Sequence, residues 1–285
     1  MTKVSVIITT RNRCSLLENA IHSVCSQTEK NLECIVVDDA SLDETRSRYQ
    51  NDSRIIYVRI EPENSRGGNY ARNQGILRAS GEILAFLDDD DIWLPSKLEK
   101  QLALLKKFPN SVIFCGRAFV RSAGAKEKRS FTIPPAKFSG NISRLIRTTY
   151  VTSTSCLLIP KKLFDLVGLF DEKLTFWQEY ELTIRLAQVS NFYFVPEALV
   201  VCRDDVTITE RVSNKVLNWK ENVLYIREKH RNLYETLTWK ENWLYHATLM
   251  KDAFRRHRRA GKKIKMFCYG VCRLILELPL RLFRK

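Results

Sequence analysis

The sequence has few of the features that build zinc sites or membrane spans. It contains four histidines and eight cysteines in 285 residues, and no two cysteines have C-x-x-C spacing. A Cys/His zinc site is therefore unsupported, and we expect the cysteines to be reduced, small core residues. Apolar runs stay short of the roughly 18–20 residues that a membrane-spanning helix needs. The N-terminus does not have the layout of a secretion signal, so we expect a cytoplasmic protein.

Acidic residues are scarce near the C-terminus, where the positive charge is concentrated. The chain has 47 lysines and arginines against 32 aspartates and glutamates, a formal net charge of +15. Residues 211–285 contain 19 of the basic residues but only 6 of the acidic ones. Such an excess of one sign indicates an anionic partner. We therefore expect a nearly neutral folded domain followed by a basic extension.

The first 110 residues alternate apolar, β-rich runs with helical segments. Serine-x-x-glutamate sequences beginning at Ser15, Ser41 and Ser96 predict capping boxes at three helix starts. Strands that are apolar on both faces and alternate with helices favour a mainly parallel central sheet with helices on both faces, an α/β fold. The predicted strands are Val4–Thr10, Glu33–Asp39, Arg54–Ile60 and Glu82–Asp88, and a helix is predicted around Tyr70–Leu77.

The pattern changes after about residue 111. Strands are predicted at Val112–Arg121, Cys156–Pro160 and Phe192–Arg203, with a basic, proline-containing loop between Ala123 and Lys137. Beyond about residue 205 the sequence becomes helical. The motif W-K-E-N-x-L-Y begins at Trp219 and again at Trp239, which predicts two similar amphipathic helices packed on each other or on the main domain.

Polar clusters follow the predicted strands where ligands bind in such sheets, beyond the carboxyl ends. The most acidic of them is Asp88-Asp89-Asp90-Asp91. Like charges packed at a strand end cost free energy unless a cation neutralises them. Side chains alternate along a strand, so Asp88 and Asp90 point to one side and Asp89 to the other, where it is expected to be structural. Two carboxylates suit Mg²⁺ or Mn²⁺ shared with a phosphate.

The ordered set of motifs resembles the family 2 glycosyltransferases of GT-A fold, over residues 3 to about 205. The segments that carry the resemblance are Val4–Arg13, Ile35–Ser41, Arg66–Gly67, Ala71–Ile76, Ala79–Glu82 and Phe86–Trp93. The resemblance implies an inverting hexosyl- or N-acetylhexosaminyl-transferase. It corresponds to a GT-A catalytic domain at 1–205, with a nucleotide-sugar half at 1–110 and an acceptor half at 111–205. Composition predicts a basic helical extension at 206–265 and an amphipathic, membrane-associating tail at 266–285.

The resemblance also assigns donor-binding residues. It implies that Thr9 and Arg11 line the base and ribose pocket, that Asp39 accepts the imide N–H of uracil, and that Arg72 reaches the nucleotide. A UDP-sugar is favoured, and a dTDP-sugar presents the same imide edge. Many members have an aromatic residue where Arg11 stands, so base stacking is expected to be either weaker here or replaced by cation–π contact. The donor-binding set is Thr9, Arg11, Asp39, Arg72, Asp88 and Asp89, and Asp90 with Asp88 would hold Mn²⁺ or Mg²⁺.

A general base is expected near Trp177–Leu182, which resembles the acidic motif of the family. Glu179 occupies the base position, and Gln178 replaces the usual leading acid. Glu181 is a competitor, although an i,i+4 pair with Arg185 would explain it structurally. Acceptor or sugar contacts are predicted for Asp91, Trp93, Trp177 and Glu181, with core packing as the alternative for the two tryptophans.

The C-terminal residues predict an association with a membrane surface. Residues 251–265 contain eight basic residues and one acid, and Met266–Phe283 is strongly apolar. This arrangement is typical of an interfacial helix behind a basic patch, which would hold the enzyme at the inner face of the cell membrane near a glycan or lipid-linked acceptor. The alternative is a helix docked on the core of the protein itself.

Three other functions are weighed. A sugar nucleotidyltransferase normally opens with a glycine-rich loop after the first strand, and Thr9–Arg13 contains no glycine. A nucleic-acid-binding protein would use the basic tail, but its aromatic residues lie in apolar helical patterns rather than on a stacking platform. A catalytically silent family member is suggested by Gln178.

Overall fold

The alternating apolar runs form a mixed α/β structure. The computed structural model describes residues 2–123, 126–205, 219–259, 265 and 268–272. The strands are β1 (Val4–Thr10), β2 (Leu32–Asp39), β3 (Ile56–Ile60), β4 (Ile83–Asp88), β5 (Asp91–Trp93), β6 (Val112–Ala123), β7 (Lys126–Thr132), β8 (Leu158–Pro160) and β9 (Phe192–Asp205). The helices are α1 (Cys14–Cys25), α2 (Thr45–Tyr49), α3 (Gly68–Arg78), α4 (Lys97–Lys107), α5 (Lys162–Val167), α6 (Gln178–Val189), α7 (Trp219–Lys229), α8 (Arg231–Glu235) and α9 (Trp239–Arg259).

These strands join one sheet in the order β3-β2-β1-β4-β8-β6-β9-β5, with β7 beside β6. The pairs β1–β2, β1–β4, β2–β3 and β6–β9 are parallel and contain most of the paired residues. The prediction of a mainly parallel sheet is confirmed. Because β1, β2 and β4 run in the same direction, Thr9, Asp38 and Asp88 come together at the carboxyl edge of the sheet.

The predicted capping boxes are wrong. Helix α1 begins at Cys14, whose amide donates to Asp43 Oδ2 at 3.0 Å, so a distant carboxylate caps the helix in place of Ser15. The Ser41 hydroxyl accepts the amide of Asn12 at 2.9 Å, and α2 begins later. Ser96 is the N-cap residue of α4 but makes no capping hydrogen bond through its side chain. Contacts between segments outweigh these local patterns.

The loop predicted between Ala123 and Lys137 contains a strand. Lys126–Thr132 forms β7, which pairs antiparallel with β6 from Arg117 to Ala123. On that side β8 pairs with β6 only at Ile113. The outer part of β6 therefore has unpaired backbone groups, and β7 satisfies them.

The chain divides into two compact units, Met1–Ile142 with Thr152–Val206, and Ser143–Val151 with Thr207–Lys285. The predicted domain at 1–205 includes residues 143–151, which the structure groups with the C-terminal unit. Within that unit, Arg147 donates to Leu233 O at 2.7 Å and to Thr236 Oγ1 at 2.8 Å.

The two W-K-E-N-x-L-Y motifs begin two helices that contact each other. They start α7 at Trp219 and α9 at Trp239. The Trp219 indole N–H donates to Asp252 Oδ2 at 2.7 Å, and the Arg227 guanidinium lies 5.5 Å from the ring centroid of Tyr245. The predicted packing of two similar helices is confirmed.

No helix within the described ranges is long and apolar enough to cross a bilayer. Of the interfacial helix predicted at 266–283, the structure describes only residues 268–272, and the rest of the predicted helix lies outside the described residues.

Glu33 at the start of β2 connects three segments of the main unit. Its carboxylate accepts hydrogen bonds from Lys3 Nζ at 2.7 Å, from the Ser80 amide at 2.7 Å and from the Ser5 hydroxyl. Partial burial raises the pKa of Glu33, but these hydrogen bonds outweigh burial and lower the pKa to about 2. The ionised carboxylate therefore stabilises the fold above the pKa of the unfolded chain, about 4.3, and this contribution is lost as the pH falls towards 2.

We predict that Glu33→Gln lowers the free energy of unfolding at pH 7 by about 1.5–3 kcal/mol, the usual contribution of hydrogen bonds to a charged group. The difference in the free energy of unfolding between the variant and the wild type becomes smaller as the pH falls from 4.5 to 3, as measured by urea unfolding. Glu82→Gln, at an exposed acid, is the matched control and leaves both curves unchanged. A difference as large at pH 3 as at pH 7 would contradict the assigned pKa.

Candidate active site

Two partly exposed carboxylates face arginines at the end of β4. Asp88 Oδ1 lies 2.7 Å from Arg72 Nη2, and the Asp88 side chain is 35% exposed. Asp90 Oδ2 lies 3.5 Å from Arg13 Nη1, and its side chain is 21% exposed. Both predicted cation ligands are thus reachable from solvent, and each already lies next to a positive charge.

Asp89 lies between them in sequence and is buried. Its Oδ2 accepts the Thr10 hydroxyl at 2.8 Å, and its Oδ1 accepts Arg13 Nη1 at 2.9 Å. Burial raises the pKa of Asp89 to about 6, although the Arg13 charge acts against this. Both oxygens are bonded inside the protein, which supports the expected structural role but not a place among the donor-binding residues. Asp89 lies in the turn after β4, so these partners, and not strand alternation, hold its side chain.

Asp91 and Trp93 lie in β5, inside the core. Asp91 is 7% exposed and hydrogen-bonds to Ser155, and burial raises its pKa well above the usual range. Trp93 is 2% exposed, its indole N–H donates to Ser155 O at 2.9 Å, and Lys97 Nζ lies 3.7 Å from its ring centroid. Lys97 is itself buried, which lowers its pKa to about 8. For Asp91 and Trp93 the predicted acceptor contact is wrong, because neither side chain reaches the surface.

The two aspartates that end β2 differ in their hydrogen bonding. Asp38 is fully buried and accepts hydrogen bonds from Tyr57, Arg59 and the Ser41 amide. Asp39 is 4% exposed, and its Oδ2 lies 3.7 Å from Arg11 Nη1. Its Oδ1 is buried and accepts no hydrogen bond from the described part of the chain.

A buried carboxylate oxygen without a donor costs free energy that a ligand N–H would recover. Two further residues that the sequence assigns to the base pocket, Thr9 and Arg11, lie at the same edge of the sheet. Arg11 also donates to Ser65 Oγ at 3.0 Å, and Thr9, partly exposed, pairs in register with Val37 and Asp88. The carboxyl edge therefore carries Thr9, Arg11 and Asp39 beside the cluster at the end of β4.

Helix α3 positions the segment that precedes α6. Asn69 Nδ2 donates to Asp171 O at 2.8 Å and to Leu174 O at 2.7 Å. Asn73 exchanges hydrogen bonds of 3.0 Å with the backbone of Phe170. The Arg72 guanidinium, between these residues in sequence, lies 5.9 Å from the Phe170 ring centroid. One helix thus supplies a cation to Asp88 and holds the segment that leads to the predicted base.

The predicted base lies in the first turn of α6. Trp177, just before it, has a left-handed backbone (φ 59°), and its ring meets Tyr180 edge-on at 5.2 Å. Glu179 and Trp177 are partly exposed. A carboxylate in a first turn is favoured by the helix dipole.

Glu181 is fully buried and pairs with Arg185. The Arg185 Nε lies 2.9 Å from Oε1, and its Nη2 lies 2.7 Å from Oε2. Arg185 also donates to Leu169 O at 2.8 Å. The structural explanation of Glu181 is therefore confirmed, and its predicted acceptor role is wrong.

The donor atoms at the end of β4 fit a divalent cation shared with a ligand. Among the residues that the structure describes, no group of three or more histidine, cysteine, aspartate or glutamate side chains is placed to hold a metal ion. Mg²⁺ is commonly bound by one or two carboxylates and completes its shell with water and substrate phosphates. The partly exposed oxygens of Asp88 and Asp90 are a donor set of that kind.

Sequence reasoning missed Arg13, Asn69, Asn73 and Ser155. Ser155 accepts the Asp88 amide at 3.1 Å and bonds to the Asp91 carboxylate, so it joins β4 to β5. No local pattern identifies Ser155, because its partners are more than sixty residues away. Arg13 falls in the polar run after β1, and the buried position of Asp89 is the signal that could have identified it.

Comparison with known proteins identifies the family. The sequence model described as Glycosyl transferase family 2 matches residues 5–168. An uncharacterized glycosyltransferase of Rickettsia prowazekii is 33% identical over 225 residues, which cover 76% of this chain and 68% of the relative. The GalNAc(5)-diNAcBac-PP-undecaprenol beta-1,3-glucosyltransferase of Campylobacter jejuni is 47% identical over 102 residues, covering 34% of this chain and 33% of that relative.

A solved structure supports the fold. The crystal structure of S. aureus TarS 1–349 in complex with UDP-GlcNAc aligns with a TM-score of 0.59 at 17% identity, covering 96% of this chain and 89% of that chain. At this identity the likeness shows the GT-A-like fold. The family match and the Rickettsia relative together establish that the chain is a glycosyltransferase of family 2.

Proposed function

We propose that this enzyme transfers a sugar from a UDP-sugar, with inversion and with a divalent cation, to a hydroxyl of a glycan or lipid-linked acceptor in surface-polysaccharide synthesis. The observation that carries the donor half is the buried Asp39 Oδ1, which accepts no hydrogen bond from the described residues. Two relatives support the class of substrates. The Campylobacter enzyme is named for a PP-undecaprenol glycan, and the TarS structure contains UDP-GlcNAc.

In the proposed donor complex, Asp39 accepts the imide N–H of uracil. A carboxylate accepts hydrogen bonds and donates none, so it favours the N–H of uracil over the bare ring nitrogen of cytosine. Arg11, 3.7 Å from Asp39 Oδ2 and 55% exposed, covers the base by cation–π contact. Arg72 binds a phosphate oxygen, for which a guanidinium is well suited.

Asp88 and Asp90 would hold Mg²⁺ or Mn²⁺, which when bound supplies positive charge to the departing diphosphate. Glu179 takes the proton of the acceptor hydroxyl, because that hydroxyl becomes a good nucleophile only as its proton leaves. Attack from the face opposite the diphosphate inverts the configuration of the anomeric carbon.

We predict that a UDP-sugar raises the melting temperature of the wild type and that a CDP-sugar, whose base has no ring N–H to donate to Asp39, does not. Saturation at about 100 times Kd adds about 2.7 kcal/mol to the folded state. Asp39→Ala removes the acceptor for the imide N–H, so it loses the response to the UDP-sugar. Glu44→Gln, at an exposed acid, is the control and responds like the wild type. Equal stabilisation by both sugar nucleotides, or an unchanged response in Asp39→Ala, would overturn the base assignment.

We predict different consequences for two neighbouring glutamates. Glu179→Gln keeps the fold and donor binding but lowers the rate of sugar transfer, followed by the UDP that is produced, by about 10²–10⁴-fold, the usual contribution of a general base. Glu181→Gln leaves Arg185 without its buried carboxylate and lowers the free energy of unfolding by about 3–5 kcal/mol. UDP release and urea unfolding are measured for both variants. A large loss of stability in Glu179→Gln with normal turnover would reverse the two roles.

We also propose that the basic extension binds an anionic membrane surface. Lys251, Arg255 and Arg258 are exposed and spaced four and three residues apart, on one face of α9. Each basic residue near such a surface contributes about 1 kcal/mol.

Replacing these three residues by glutamine is predicted to weaken binding to vesicles of phosphatidylglycerol and phosphatidylcholine by about 100-fold, from about 3 kcal/mol in total. Sedimentation with vesicles measures this. The control replaces Arg78, Lys106 and Lys107, which are exposed in the other unit, and reduces binding much less. Equal loss in both triple variants, or equal binding to pure phosphatidylcholine, would show that the face on α9 is not a specific contact.

A further inference from the structure

Both carboxylates that are proposed to hold the divalent cation lie next to a guanidinium. Arg72 Nη2 is 2.7 Å from Asp88 Oδ1, and Arg13 Nη1 is 3.5 Å from Asp90 Oδ2. A divalent cation that binds these oxygens is therefore repelled by two guanidinium groups, unless a guanidinium group can move away. Which of the two arginines is displaceable depends on how each is anchored.

Arg13 is held in place by a buried acid. Its Nη1 donates to Asp89 Oδ1 at 2.9 Å, and Asp89 Oδ2 is bonded to the Thr10 hydroxyl at 2.8 Å. Asp89 is 5% exposed, so moving Arg13 away would leave a buried carboxylate without its cation. Arg13 therefore stays beside Asp90 whether or not a ligand is bound.

Arg72 is anchored more weakly. Apart from Asp88, it contacts Asn69 Oδ1 through a 3.4 Å hydrogen bond and lies 5.9 Å from the Phe170 ring centroid. Turning its guanidinium from Asp88 to a phosphate would break that ion pair and this hydrogen bond, but it would leave no buried carboxylate without its cation, since Asp88 is 35% exposed. The edge of the sheet thus carries one exchangeable charge, Arg72, and one permanent charge, Arg13.

We propose that Arg13 is a positioning residue that makes cation binding depend on the donor. Arg13 holds Asp90 in position, and its positive charge weakens the binding of a divalent cation to that carboxylate. When the donor binds, the negative charge of its diphosphate offsets the repulsion between the cation and Arg13. The inference rests on the proposed function, because it takes Asp88 and Asp90 as the cation ligands. By linkage, the cation must then strengthen donor binding by the same factor.

The experiment measures Mn²⁺ binding by the paramagnetic resonance signal of free Mn²⁺, with and without UDP. In the wild type, Mn²⁺ alone binds weakly and UDP strengthens its binding. In Arg13→Gln, Mn²⁺ alone binds more tightly, and the enhancement by UDP is at least about fivefold smaller, the lower end of typical coupling between sites. Arg13→Lys keeps the charge and restores the enhancement. Arg46→Gln, a surface arginine paired with Glu61, behaves like the wild type.

A second variant covers the case in which Arg13→Gln does not fold. Arg13→Gln combined with Asp89→Asn replaces the ion pair by two neutral groups that can hydrogen-bond, and it shows the same reduced enhancement. An enhancement equal to that of the wild type in both variants overturns the inference. If Asp90→Ala binds Mn²⁺ with UDP as tightly as the wild type, the cation site itself is wrong, and this separate result overturns both the site and the inference.

Discussion

The carboxyl edge of a parallel sheet collects the ends of its strands, and in this enzyme two of those strands, β2 and β4, end in aspartates. Asp38 and Asp39 end β2, and four more follow from Asp88. Carboxylates brought together in this way repel one another and lose hydration, so the fold requires cations and hydrogen-bond donors at the same edge. Arg59 at Asp38, Arg13 at Asp89 and Arg72 at Asp88 meet this requirement. The position of each arginine then determines which carboxylate oxygens remain for a ligand.

Adjacent aspartates at this edge have different roles because their side chains have different surroundings. For Asp38 and Asp39, both in β2, this follows from the alternation of side chains along a strand. Asp38 is bonded by Tyr57, Arg59 and the Ser41 amide, whereas Asp39 next to it keeps a buried oxygen that accepts nothing from the described residues. Asp89 is bonded inside the core, whereas Asp88 on one side of it is partly exposed. The bonded acid of each pair stabilises the edge, and the other faces the space where a ligand would lie. A substitution of Asp38 or Asp89 would therefore disturb the site indirectly, through its geometry.

The sequence predicted the strands of the parallel half well, because apolar periodicity and burial act locally. Val4–Thr10 has the same bounds in pattern and structure, and β2, β3 and β4 differ by one or two residues. The errors arise where a distant partner decides the outcome. Asp43 caps α1 in place of Ser15, and Ser155 holds Asp91 and Trp93 inside the core. Motif spacing indicates which residues lie at the ends of the strands, but it does not predict which of their side chains are buried by a segment much later in the chain.

Helix α3 connects the two halves of the proposed chemistry. It carries Arg72, which reaches Asp88, and it carries Asn69 and Asn73, which hold the segment leading to Glu179. Its depth against the sheet is set by Gly75, where a Cβ would lie 2.5 Å from Ile7 Cγ2 of β1. A larger residue at this position would move the helix outward, and the cation at Asp88 and the segment before α6 would move together. Donor edge and base segment are therefore positioned by one contact between a glycine and a central strand, which explains how residues a hundred positions apart keep a common geometry.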